Sequence, residues 1–187
     1  MNIAILLATY NGSKFIEAQI ESIIANDNFN LISKIIVTDD GSTDNTVELV
    51  KKYKNVLLIE NTSTEHGPSA NFFNGLKYCN GMDYVFFCDQ DDIWLENKIS
   101  DMVEFADSFC LGDCDAPSIV YADGYAFSDT TGEIDFSGIS HNHADGLKDF
   151  LFFNVGYQGC SIMFNRAMTD FLTRYNGYIH LHDDIVS

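Results

Sequence analysis

The stretch "NIAILLATYNGSKFIEAQIESIIA", residues 2–25, decides how the rest of the chain is read. It opens on a continuous apolar run, residues 2–8, and such a run fits a strand buried on both faces. The polar turn "TYNGS" follows. From residue 14 the apolar spacing changes: Phe15, Ile16, Gln19, Ile20, Ile23 and Ile24 fall on one helical face. Ser13 and Glu17 favour a helix start at that point. A buried strand handing over to an amphipathic helix is the first half of a strand–helix–strand unit.

The same alternation recurs along the chain. "KIIVTDD" (34–40) reads as a second buried strand, and "DNTVELVKKY" (44–53) as a helix with Asp44 as N-cap and Lys51 and Lys52 near its C-terminus. "NVLLIEN" (55–61) is a third strand, a helix starts near Ser69, and "DYVFFCD" (83–89) is a fourth strand. "IWLENKISDMVEFADSF" (93–109) predicts a helix behind it. The first 110 residues therefore predict an α/β fold, a mostly parallel central sheet flanked by helices.

After residue 115 the pattern becomes mixed. "SIVYADGYAFSD" (118–129) reads as a member of a strand pair before the turn "TTGE", and "DGLKDFLFFN" (145–154) as a short helix. "GCSIMFNRAMTDFLTRY" (159–175) reads as a strand running into a helix. No Pro- or Gly-rich linker divides the halves, so residues 1–187 are expected to form a single domain, 1–110 and 111–187 being its two sides. The chain stops soon after "HDD", without a helix cap, and is expected to be a piece of a longer protein.

Composition excludes several roles. The formal net charge of −18 is opposite to what a nucleic-acid surface or an anionic membrane attracts. The start of the chain lacks the positive n-region of a signal peptide, and no run reaches the length of a membrane span. Of five cysteines, Cys79, Cys88 and Cys160 lie in apolar runs and read as buried reduced thiols. Cys110 and Cys114 flank "LGD", but no second Cys or His pair completes a zinc site. "NTS" at Asn61 matches a glycosylation sequon, which carries no weight without secretion.

In parallel sheets ligands bind beyond the carboxyl ends of the strands. Thr9, Tyr10 and Asn11 fall after the first strand, Asp39 and Asp40 after the second, and Asp89, Asp91 and Asp92 after the fourth. Crowded carboxylates of the "DQDD" kind suit a hard divalent cation with oxygen ligands, Mg²⁺ or Mn²⁺. The spacing is not that of an EF-hand, since Trp94 stands where Gly is needed. A solvated helix-capping loop and a phosphatase-like Asp-x-Asp nucleophile are the competing readings. No G-x-G-x-x-G and no Walker lysine motif is present, so a metal would carry much of the neutralisation of a diphosphate.

"LLATYNGSKFIEAQIESI", "IIVTDDGSTDNT", "NFFNGLKYCNGMDYVFFCDQDDIW" and "GCSIMFNRAM" together resemble a family 2 glycosyltransferase, over nearly the whole chain and in order. The wording "DQDDIW" is similar to the bacterial branch that includes rhamnosyltransferases of polysaccharide synthesis. The resemblance implies a GT-A fold, Rossmann-like, and inverting transfer from a UDP- or dTDP-linked sugar to a glycan or lipid-linked acceptor. It implies a cytoplasmic location, with the inner face of the membrane as an alternative. Carried over by position, Thr9, Tyr10 and Asn11 line the nucleotide pocket and Asp40 or Asp39 faces the base. Asn71 approaches the nucleotide-sugar, Asp91 binds the metal, Asp89 lies nearer the ribose, and Asp92 is a further or alternative ligand. Of the "HDD" near the end, Asp183 matches the catalytic base and Asp184 is the second choice. A binding domain without turnover and a metal-dependent phosphohydrolase remain alternatives.

Overall fold

Alternation inside the first strand builds two cores at once. The computed structural model describes residues 1–128, 130–139 and 159–175. Strand β1 (Ile3–Thr9) is buried along its whole length. Because successive side chains point to opposite faces, Ile3, Ile5 and Leu7 enter one core and Ala4, Leu6 and Ala8 the other. On the first face lie helix α1 (Ile16–Ile24), through Ile16, Ile20 and Ile23, and helix α4 (Lys98–Ser108), through Ile99, Met102, Val103 and Ala106. On the second lie α3 (Pro68–Leu76), through Phe72 and Leu76, and α5 (Arg166–Arg174), through Met168 and Leu172.

Four strands run parallel: β1, β2 (Ile32–Asp39), β3 (Val56–Glu60) and β4 (Tyr84–Asp89). Strand β8 (Ile162–Asn165) pairs antiparallel with β4, and β5 (Ile119–Tyr121) antiparallel with β8. The six-stranded order is β3-β2-β1-β4-β8-β5. The chain moves from β1 to β3 in one direction, then crosses to β4 on the other side of β1. Strands β1 and β4 therefore flank the switch point, where open α/β sheets form a crevice.

The expected mostly parallel sheet with a mixed second half is present, with local differences. The predicted helix 44–53 shrinks to α2 (Thr46–Val50). After Val50 the chain tightens so that Tyr53 packs on the first core and its hydroxyl donates to Glu21 Oε1 at 2.9 Å. Lys51 and Lys52 consequently lie beyond the helix, where Lys52 pairs with Glu17 at 2.8 Å. Ser13 does not cap α1; the Gly12 carbonyl accepts from the amides of Phe15 and Ile16. Ile24 is 38% exposed and falls off the predicted buried face.

Helix α4 starts at Lys98 rather than residue 93, because the preceding loop is used for docking. Trp94 is buried against Phe86, with ring centroids 5.4 Å apart. Asn26 donates to the Leu95 carbonyl at 2.8 Å and accepts from the Ile99 amide at 3.0 Å. The stretch 118–129 is two strands in two sheets: β5 joins the main sheet, while β6 (Tyr125–Ser128) pairs with β7 (Glu133–Ile139) as a separate ribbon. The helix predicted at 145–154 lies outside the described residues.

Candidate functional site

The turns after β1 and β2 are held by each other. Asn11 takes a left-handed φ of 49°, a conformation asparagine tolerates, and its Oδ1 accepts from the Thr43 amide at 2.8 Å. The amides of Asn11, Gly12 and Ser13 donate to Ser42 Oγ, Thr46 Oγ1 and Asp44 Oδ2, at 2.8, 2.8 and 3.0 Å. Asp39 turns back on its own loop, accepting from the Gly41 amide, the Ser42 amide and the Ser42 hydroxyl at 3.0, 2.8 and 2.5 Å. Gly41 supports that turn with a φ of 85°, where a side chain would be strained.

Asp40 faces the other way. Its Oδ1 accepts from Asn61 Nδ2 at 2.7 Å and lies 2.9 Å from His66 Nδ1, while Oδ2 accepts from the Gly67 amide at 2.7 Å, at the start of α3. A carboxylate only accepts, so its partner nitrogen on His66 carries the proton. Asn71 is a clamp between strand ends: its amide donates to the carbonyls of Thr9 and Thr38 and accepts from the Thr38 hydroxyl, at 3.1, 2.9 and 2.9 Å.

A third connection joins the β1 turn to the β4 turn. Gln90 Oε1 accepts from the Thr9 hydroxyl at 2.7 Å and the Tyr10 amide at 2.9 Å, and Nε2 donates to the Tyr10 carbonyl at 3.2 Å. These three strand ends and the start of α3 enclose a cleft of about 760 Å³, lined by Thr9, Tyr10, Asp40, His66, Asn71, Asp89, Gln90 and Asp91 among others. Tyr10 is 54% exposed there.

Six of the residues singled out in the sequence thus share one cleft: Thr9, Tyr10, Asp40, Asn71, Asp89 and Asp91. Asn11, Asp39 and Asp92 lie off its wall. The first two are occupied in the turns just described. Asp183 and Asp184 lie outside the described residues.

Asp92 sits behind the cleft. One carboxylate oxygen of Asp89, one of Asp92 and the Cys160 sulfur lie within 4.8 Å of one another. Cys160 is half-buried beside this acidic group rather than fully enclosed, as its apolar run had suggested. Burial pushes the Asp92 carboxyl above the ordinary carboxylate value; the Cys160 thiol and Lys98 pull it back, and Asp89 and Asp91 push it up again. Its Oδ2 is buried without a hydrogen-bond partner. Lys98 is the resident cation: Nζ donates to the Cys160 carbonyl at 3.1 Å and stands 4.4 Å from the Trp94 ring centroid. Burial pulls Lys98 down, while Cys88, Cys160, Asp92 and Asp89 push it up.

Burial holds the Lys98 pKa below the ordinary lysine value, so the carboxylates of Asp89 and Asp92 that act on it keep negative charge uncompensated. Asp89 and Asp92, whose oxygens come within 4.8 Å of each other and of which Asp92 Oδ2 is orphaned, are hard donors that fit a divalent cation behind the cleft's β4 edge, while Asp91 lies exposed outside that group. Sequence reasoning missed Gln90, His66, Lys98 and Cys160. Gln90 is hidden among the carboxylates of its own motif, and Lys98 reads as an ordinary helix residue.

A mostly parallel sheet with a polar cleft at its switch point defines the class of open α/β proteins that bind ligands beyond their strand ends. The model of glycosyl transferase family 2 matches residues 4–169, and the chain belongs to that family. It is 33% identical over 105 residues to the dTDP-rhamnosyl transferase RfbG of Shigella flexneri, covering 52% of this chain and 36% of that protein. The chain thus spans about a third of that relative. The crystal structure of S. aureus TarS 1–349 in complex with UDP is 28% identical, with a TM-score of 0.52 over 58% of this chain and 32% of the other. TarS 1–349 in a further crystal structure superposes over 98% of this chain and 53% of its own, with a TM-score of 0.69 at 19% identity. The fold is GT-A.

Proposed function

We propose that residues 1–187 form a single donor-binding and catalytic domain of an inverting, metal-dependent glycosyltransferase. It moves a sugar from a nucleoside diphosphate to a hydroxyl of a glycan or lipid-linked acceptor, in bacterial cell-surface polysaccharide synthesis. The observation that carries this reading is the cleft that joins Thr9, Tyr10 and Asp40 on one side to Asp89 and Asp91 on the other. The rhamnosyl transferase likeness and the UDP complex of TarS support a pyrimidine diphosphate, dTDP or UDP.

Tyr10 offers its exposed ring to the base, a flat amphipathic surface. Asp40, anchored by Asn61, His66 and the Gly67 amide, keeps acceptor capacity for a base N–H. Asp89 faces the ribose. Asp91, with Asp89 and Asp92 beside it, would hold Mg²⁺ or Mn²⁺, which supplies the charge that stabilises the departing diphosphate. Lys98 keeps the acidic loop seated against Trp94 and the Cys160 carbonyl. Asp183, or Asp184 beside it, takes the proton of the acceptor hydroxyl as that oxygen attacks the anomeric carbon. A single displacement inverts the configuration there. Among the described residues no helix is long and apolar enough to cross a membrane. We place the reaction in the cytoplasm or at the inner membrane face, where a lipid-linked acceptor would be met.

Calorimetric titration of UDP, dTDP and GDP, with and without Mn²⁺, tests the donor site. One nucleotide should bind in a manner that needs both the metal and Asp91, and the Asp91→Asn variant should lose it. No metal-linked binding to any of them would overturn the reading. Binding without transfer to any acceptor would favour a non-catalytic domain, and phosphate release without acceptor a phosphohydrolase.

A further inference from the structure

Gln90 stands between two carboxylates, and its side chain reaches the opposite wall of the cleft. Its amide meets the backbone of Tyr10 from both sides, accepting from N–H at 2.9 Å and donating to C=O at 3.2 Å. It also takes the Thr9 hydroxyl at 2.7 Å. The backbone pairing of β1 with β4 ends at Ala8 and Asp89. Gln90 extends that pairing by one residue with a side chain in place of a strand. The approach is close enough to dictate a neighbour: a Cβ on Gly12 would stand 2.1 Å from Gln90 Oε1 and 2.9 Å from Thr9 Oγ1. Gly12 is needed here for space, since its φ is not in the left-handed range.

We propose that Gln90 is a positioning residue that latches the Tyr10 turn to the acidic turn and so sets the spacing between the base side and the metal side of the donor cleft. This rests on the donor-site reading above. A nucleoside diphosphate must touch both sides at once, so a loosened latch makes binding order the Tyr10 turn first, and affinity falls. The fold itself is held elsewhere, by the two cores and by the ties between the β1 and β2 turns.

The test is the affinity of UDP and dTDP in the presence of Mn²⁺, by calorimetry, for the wild-type chain and for Gln90→Met, which keeps the length and removes all three bonds. Affinity should fall about tenfold, while the melting temperature moves by only a few degrees. A merely structural Gln90 would lower the melting temperature and leave the affinity of the folded protein alone. Gly12→Ala should reproduce the loss by forcing Gln90 away. In the Gln90→Ala background Gly12→Ala should add less than it does alone, because its main obstacle is gone. A wild type that binds, with Gln90→Met weaker by less than about threefold, overturns this inference and leaves the donor site standing. A wild type that binds neither nucleotide overturns both.

Discussion

"VTDDGSTDNT" at 37–46 and "CDQDDIW" at 88–94 look alike on paper: each crowds three aspartates at the end of a buried strand. In the fold they do opposite work. Asp39, Asp40 and Asp44 of the first stretch are spent on partners. Each accepts from backbone amides as well as side chains, and together they bind the turns of β1 and β2 and the start of α3 into one frame. In the second, Asp89 and Asp92 approach each other and Cys160, Asp92 keeps a buried oxygen without a partner, and Asp91 is exposed in the cleft. The first cluster is a scaffold whose charge is already answered. The second retains charge that one lysine does not answer.

The sharpest way to break this contrast is to neutralise one residue in each cluster. Asp91→Asn should cost metal-linked nucleotide affinity about a hundredfold, the scale expected when one partner of a close charge pair is lost. Its melting temperature without ligand should not fall. Asp40→Ala should instead lower the stability of the free protein, besides removing the base contact proposed for Asp40. The substitution takes one acceptor from the buried Asn61 amide, which keeps the Glu65 carbonyl, and removes the acceptor of the half-buried Gly67 N–H, and about 1–3 kcal/mol of stability should disappear in urea unfolding. If both variants lose stability equally, the division into scaffold and binding cluster is wrong.

Asp92→Asn sharpens the comparison with a smaller effect. The raised pKa means that the charged carboxylate is costly in the folded state, chiefly through burial. An isosteric neutral side chain removes that cost, so thermal unfolding at neutral pH should move up by a degree or two at most. A clear fall would show that Asp92 is held by a partner the charge needs.

The frame of the fold is legible because β1 to β4 each centre on an apolar run, and α1 repeats Ile at helical spacing. Boundaries differ where a loop is held by distant residues. Trp94 and Leu95 read as helix because nothing local shows that Asn26 holds their backbone. The insertion of β8 beside β4 is not legible, since "SIMFN" shows a strand but not its neighbour, some 80 residues earlier. In the site, the convergence of polar strand ends can be read, but not which carboxylates are already occupied. That depends on Ser42, Thr43 and Thr46 meeting Asn11 and Gly12, and on Gln90 meeting Tyr10, contacts between turns far apart in sequence. The base proposed at Asp183 rests on the family resemblance alone.

Asp44 gives the mildest test, through pH. Burial pushes its carboxyl up, yet bonds from Thr46 and Ser13 outweigh this and hold it well below the ordinary carboxylate value. A group whose folded pKa is depressed stabilises the fold fully above its unfolded pKa, near 3.8, and loses that contribution as pH falls toward the folded value. Wild-type melting temperature should therefore drop on acidification below about pH 4. Asp44→Asn should melt slightly lower at neutral pH and show a shallower drop in acid, because the amide cannot titrate. Asp44 is partly exposed, so solvent screening keeps the effect small and salt should reduce it further. Parallel acid profiles for the two proteins would mean that the Thr46 and Ser13 bonds do not favour the charged form, and the scaffold reading of "DGSTD" would lose its electrostatic part.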